Sequence, residues 1–272
     1  MLFISSRKSL FDDDEIGRAD EFWDLDVRRG MLFGQQQLGG IADIRNLIKG
    51  KKVLLLVHGY NNQLEDVIRA YDVIENNASK LMKDKYDFII GYTWPGGDDR
   101  FDYFAAKTRA GAIAPRFSEN LRDLHSAATR AKSLDVMTHS MGARVAYEGL
   151  KLLSSRNVVR NLMNMASAVD NESIEKGEEY FVANGRVRNS FVFHSRHDQV
   201  LNLAYRFAEF DSALGLHGPE DPGDILQNAN HTFVVNCKRV IKGHGEYKAE
   251  ESVYKYLNGQ VDKPNGVQFS SL

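Results

Sequence analysis

The chain has 272 residues, 43% of them hydrophobic, with 35 basic against 37 acidic side chains and a formal net charge of -2. That length fills one large α/β domain or two small ones, and the near balance of charge excludes the basic footprint of a nucleic-acid binder. The single cysteine, Cys237, excludes an intramolecular disulfide framework and a thiolate zinc site, and points to a reducing compartment.

The opening MLFISSRKSLFDDDEIG offers a four-residue apolar start before its charges, too short for a secretory h-region. No run approaches the roughly eighteen apolar residues of a membrane span, so a cytoplasmic protein is expected. MLFIS and the later MLFGQQQ are candidates for antiparallel edge strands. Residues 1–40 therefore read as an N-terminal extension, 41–260 as an α/β domain and 261–272 as a C-terminal tail.

Continuous apolar runs bounded by turn residues predict strands buried on both faces, as in a parallel sheet. They are VLLLV (53–57), FIIGY (88–92), LDVMT (134–138), LMNMA (162–166), SFVFH (190–194) and TFVVN (232–236). Between the first two, apolar residues from Leu64 to Met82 recur at three- and four-residue steps, which predicts a helix, with Asn62 and Glu65 as its capping pair. Further helices are expected at 116–132, 142–155, 171–182, 200–214 and 246–257, and HGPEDPGD (217–224) as an excursion loop. Alternation of strand and helix predicts an α/β fold, a mostly parallel sheet with helices on both faces.

In such a sheet reactive groups gather beyond the carboxyl ends of the strands. Ser140 lies two residues past LDVMT and just before a helical pattern, in THSMG. A nucleophile elbow needs small residues two before and two after the serine; Gly142 meets the second need and Thr138 departs from the first. A serine in this place is equally at home as a helix cap.

Nucleophilic chemistry would require a histidine to take the hydroxyl proton and a carboxylate to orient it. Two aspartates leave strand ends, Asp198 in HSRHDQVL and Asp170 in SAVDNESI. Asp198 is the first choice, with a helix N-cap as its alternative role, and Asp170 is the reserve. Of the histidines downstream of Asp198, His231 opens a strand at the far edge and His217 sits in the excursion loop. His244, between Gly243 and Gly245, is the base, the glycines letting its loop fold back over the sheet. The oxyanion donors are the N–H groups of Met141 and, after the turn at Gly59, of Tyr60. His58 reads as a loop-fixing residue, and His139 as pointing away from the serine. Trp94 is a candidate pocket wall or a packing residue, and Phe101, Tyr103, Phe104 and Ile113 are candidates to cover the serine.

VHGYNN, YTWPGG (92–97), THSMG, a strand-end aspartate and a late histidine, in that order, resemble the α/β-hydrolase superfamily. They are most similar to its bacterial members of undefined function, which share the HGYN, WP and HSMG signatures. The resemblance implies an eight-stranded sheet, a Ser140, Asp198, His244 triad and an oxyanion hole from Tyr60 and Met141. It supplies no substrate.

The expected function is a serine hydrolase cleaving an ester or related acyl bond of a small-molecule or acyl substrate, without a cofactor. The alternative is a non-catalytic binding or scaffolding protein that keeps the fold. No P-loop or G-x-G-x-x-G follows a strand, which removes a nucleotide site. His194 and His197 leave their strand facing different ways, so no metal is expected, and the sequence carries no signal for oligomeric state.

Overall fold

The structure, a computed structural model, describes residues 1–12, 14–97, 102–128 and 133–272. Its strands are β1 (Leu2–Arg7), β2 (Ile16–Arg28), β3 (Met31–Gln37), β4 (Lys52–Val57), β5 (Phe88–Thr93), β6 (Ser133–His139), β7 (Asn161–Met165), β8 (Asn189–His194), β9 (Thr232–Asn236) and β10 (Phe269–Ser271). They form one sheet in the order β10-β9-β8-β7-β6-β4-β5-β1-β2-β3.

The six apolar runs are β4 to β9, each parallel to its neighbours. They are apolar without alternation because both of their faces are covered; Val53 to Val57 are all buried. The rest of the sheet departs from expectation. β1 is parallel to β5, not antiparallel, and all six of its residues are buried, so it continues the inner sheet. Among the described residues the antiparallel pairs are β1 with β2 and β2 with β3. With β10 beside β9, the sheet has ten strands among the described residues where the resemblance implies eight.

The helices are α1 (Ile41–Ile48), α2 (Leu64–Leu81), α3 (Tyr103–Ala128), α4 (Gly142–Lys151), α5 (Phe181–Asn184), α6 (Arg206–Glu209), α7 (Leu214–His217), α8 (Pro222–Asn228) and α9 (Glu251–Gln260); a π-helical turn, Leu201–Tyr205, leads into α6. α1, α3 and α4 pack together on one face of the sheet, and α2 packs with α9 on the other.

α3 begins well before residue 116, running through Pro115 although proline has no N–H for the helix ladder; the expected end at 129–132 lies outside the described residues. No helix spans 171–182. Successive tight turns bond Ser173 N–H to Asp170 O, Glu175 N–H to Glu172 O and Glu178 N–H to Glu175 O, and Gly177 at φ 96 closes the helical region. The expected 200–214 helix is likewise broken into the π turn, α6 and the separate α7. Asn62 does not cap α2 either: the helix starts after Gln63, and the Asn62 amide donates to Tyr60 O at 2.7 Å. Among the described residues no helix is long and apolar enough to cross a membrane.

Because β4 to β9 run the same way, the loops that follow them meet at one edge. A cavity of about 740 Å³ opens there.

Candidate active site

Ser140 follows β6 directly and adopts φ 54, in the left-handed region that a side chain rarely enters. Its backbone is held there from both sides, by its N–H to Met165 O at 3.0 Å and by the Ala143 and Ala168 N–H groups to its own carbonyl at 3.1 and 3.2 Å. Strain of this kind costs about 1–3 kcal/mol and persists only where the surroundings over-determine it. The capping role for Ser140 is not used, since α4 starts after Met141 with no side-chain cap. Gly142 is needed for close approach: a Cβ there would lie 2.5 Å from Val57 O and 2.6 Å from His58 O. Thr138, the departure from the elbow pattern, turns sideways in the sheet and donates to Asn164 Oδ1 on β7 at 2.7 Å.

Asp198 is fully buried and lies beyond β8. His244 Nδ1 donates to its Oδ2 at 2.7 Å, while its Oδ1 accepts the Leu201 N–H at 3.0 Å. One oxygen of this aspartate thus faces the imidazole and the other the N–H of the turn that opens at Leu201. With the proton on Nδ1, the lone pair of His244 is on Nε2. Asp170 is taken elsewhere, by the Tyr205 hydroxyl at 2.6 Å. His231 donates from Nε2 to Asn184 O, and His217 lies in α7.

His139 corrects its expectation. Instead of pointing away, its ring lies 4.6 Å from the His244 ring, and its Nε2–H donates to His244 O at 2.8 Å. Burial first, and then the neighbouring His244, push its pKa down to about 3, so it stays a neutral tether for the histidine loop. Gly243 and Gly245 flank His244 without a left-handed backbone, and a Cβ on Gly243 would lie 3.3 Å from Glu246 Oε1. The loop is held by side chains instead, Ser195 Oγ donating to Ile241 O and Lys242 N–H to Glu246 Oε2.

The loop after β4 passes against the serine. A Cβ on Gly59 would sit 2.7 Å from Ser140 Cβ, a separation that only glycine permits. His58 is buried and fixes this loop: its Nδ1 lies 2.8 Å from Gly59 O, and its Nε2 accepts the Trp94 N–H at 3.1 Å. Burial, then the Arg7 charge, hold its pKa well below the ordinary value. Asn61 N–H bonds Gly96 O at 3.1 Å, tying the loop to the segment after β5. Met141, at the start of α4, has an N–H with no carbonyl one turn back inside the helix.

Trp94 is a packing residue. It stacks on His58 at 5.7 Å, donates from Nε1 to His58 O at 2.9 Å, and lines no part of the cavity. Of the candidate covering residues, Tyr103 lines the cavity, Phe104 is exposed, Ile113 is in the core and Phe101 lies outside the described residues.

The cavity brings Ser140, His244, Gly59, Tyr60 and Met141 onto one wall. Two apolar walls extend from them. Leu56, Ala70, Ile74 and Met137 line the side under α2, and Val200, Leu201, Tyr205 and Ala208 form a roof. The roof went unread in the sequence, although Leu201, Tyr205 and Ala208 recur at helical spacing. Among the described residues no carboxylate and no guanidinium lines the cavity, and Lys248 is the one ammonium. Among the described residues no group of three or more His, Cys, Asp or Glu side chains could hold a metal ion; His194 is buried and His197 exposed. Cys237 is buried in the core, where burial pushes its thiol up to about 12.

A family model described as an α/β-hydrolase of unknown function (DUF900) matches residues 41–260. The chain is similar to the crystal structure of 2,6-dihydroxy-pseudo-oxynicotine hydrolase, with a TM-score of 0.45 and 12% identity, over 88% of this chain and 66% of that one. It is also similar to the acylaminoacyl peptidase of Pyrococcus horikoshii, with a TM-score of 0.32 and 9% identity, over 94% of this chain and 41% of that one. The chain thus spans slightly under two thirds of the first protein and less than half of the second. No curated protein matches the sequence. By the match over residues 41–260, the chain belongs to the DUF900 family of α/β-hydrolases.

Proposed function

We propose that the protein is a serine hydrolase that cleaves an ester or related acyl bond through Ser140, His244 and Asp198. The observation that carries this reading is the 2.7 Å bond from His244 Nδ1 to the buried Asp198, on the same cavity as a serine held at φ 54. His244 Nε2 takes the Ser140 proton as Oγ attacks the substrate carbonyl, and Asp198 stabilises the imidazolium that forms. The N–H groups of Tyr60 and Met141 hold the oxyanion of the tetrahedral intermediate. Collapse breaks the bond to the leaving group, which departs with the proton from His244. Water, deprotonated by His244, then attacks the acyl-enzyme, and the second collapse returns the proton to Ser140 and releases the acid.

The cavity wall selects the substrate class. Apolar surface on both sides of the serine, with no carboxylate or guanidinium among the described lining residues, favours an uncharged ester with apolar acyl and leaving groups. A phosphorylated or multiply charged substrate would lose hydration along those walls, with Lys248 as the charge the described lining offers it.

Treatment with a fluorophosphonate, followed by intact-mass measurement, tests the reading. One adduct is expected on the wild type and none on Ser140→Ala. An unlabelled wild-type protein that also turns over no reporter ester would overturn the enzyme assignment in favour of a binding protein on the same fold.

A further inference from the structure

Arg7 ends β1, outside the residues the family model matches, and its side chain is fully buried. A guanidinium donates five N–H groups and accepts none, so every bond it makes runs outward. Nε donates to Thr93 Oγ1 at 2.7 Å, Nη2 to Asn62 O at 3.1 Å and Nη1 to Asp12 O at 3.3 Å. Two of these three bonds reach the surroundings of the Gly59 turn.

The bond to Thr93 has a directional consequence. Its hydroxyl oxygen accepts from Arg7 and lies 3.2 Å from His58 Nε2, which already accepts the Trp94 N–H. Nε2 is therefore the lone-pair nitrogen, and the Thr93 proton points at it. The single proton of the neutral ring sits on Nδ1 and is donated to Gly59 O at 2.8 Å. Gly59 C=O and Tyr60 N–H belong to one trans peptide plane and point opposite ways. Fixing the carbonyl aims the N–H.

We propose that Arg7 is a positioning residue for the oxyanion loop: by donating to Thr93 Oγ1 and Asn62 O it holds the Thr93 hydroxyl against His58 and the chain beyond Gly59 in place, while the Trp94 N–H and the Gly59 carbonyl set the His58 tautomer, and so it keeps the direction of the Tyr60 N–H. The role rests on the serine-hydrolase reading for its effect on turnover, but the Arg7, Thr93, His58, Gly59 relay stands on its own geometry. Stability alone is a poor account of this arginine. Burial lowers its pKa to about 10, a mark of the desolvation it bears, and buried ions can often be replaced by apolar side chains of similar volume without loss. The β1 strand thus brings an anchoring donor to a site that the matched domain otherwise builds.

The test uses the full chain, with Arg7→Met, Arg7→Lys and Thr93→Val. Ring ¹⁵N shifts report the His58 tautomer, and steady-state kinetics with a reporter ester report turnover. The wild type is expected to hold a neutral ring protonated on Nδ1. Arg7→Met and Thr93→Val are expected to keep the Nδ1 tautomer, which the Trp94 N–H and the Gly59 carbonyl hold, to shift the His58 Nε2 resonance as the Thr93 contact is lost, and to lower kcat about 10- to 100-fold at nearly constant KM, less than the loss of a whole oxyanion donor. Arg7→Lys, still donor-only, is expected to recover part of both. Should Arg7→Met not fold, Thr93→Val carries the test, because it keeps the guanidinium and removes only the relay. An unchanged His58 Nε2 resonance and kcat in Thr93→Val, or a wild-type ring protonated on Nε2, would overturn the proposal. If the wild type turns over no ester, the hydrolase reading fails separately, and the ring shifts still decide the relay.

Discussion

β6 runs between two buried carboxylates with opposite surroundings. Near its amino end Asp135, fully buried, takes the Arg160 fork at 2.9 and 2.7 Å, the Tyr86 hydroxyl at 2.8 Å and two donors from Asn161 at 3.1 and 2.9 Å. Beyond its carboxyl end Asp198, equally buried, has one backbone N–H and one imidazole. The first is neutralised by a permanent cation and saturated with donors, as a structural carboxylate must be. The second has an imidazole as its side-chain partner, a group that can exist neutral or charged, and that partner faces a cavity. Equal burial therefore says little about role; the chemistry of the partners separates the two.

The sharpest way to break that comparison is Asp198→Asn. The amide oxygen can still accept the Leu201 N–H, so the urea midpoint should barely move, while reporter-ester turnover should fall about 10⁴-fold as the imidazole loses its orienting charge. If turnover survives, Asp198 is as structural as Asp135. Asp135→Ala should do the reverse: a loss of about 3 kcal/mol in urea unfolding, from leaving Arg160 half-buried with Asp262 as its remaining ion-pair partner, and kcat kept for the folded protein.

A smaller, graded effect comes from the histidines. Burial lowers His139 to about 3 and His194 to about 4, and takes His58 well below 6.5. The unfolded chain, with ordinary histidines, binds these protons first as pH drops. Stability should therefore fall between pH 6.5 and about 4, by up to about 1.4 kcal/mol per pH unit for each histidine. His194 ceases to contribute below about 4 and His139 below about 3. Urea midpoints measured across this range check the sign; a rise towards acid would mean that the rings are charged in the folded protein.

The inner sheet was legible because strands covered on both faces must be apolar at every position, as in VLLLV and SFVFH. The edge was not. β2 reads as IGRADEFWDLDVR, with Leu25 its one fully buried apolar residue, so it lacks the continuous apolar run that marks the inner strands. The serine, the histidine and the two glycine-bearing turns were nominated by their places at strand ends, a local signal. What holds them is not local: the His139 tether to His244 spans 105 residues and the Arg7 bond to Thr93 spans 86. Trp94 misled as a pocket candidate because a strand-end aromatic looks the same from the sequence whether it faces a cavity or a histidine ring.

Asp198 shares its two oxygens between imidazole and main chain, and the main-chain donor, Leu201, is itself part of the cavity roof. One rigid carboxyl plane thus links the ceiling to the imidazole. A guest bulky enough to lift Leu201 would twist that plane and spoil the aim of the ring, so oversized molecules would be bound yet poorly processed.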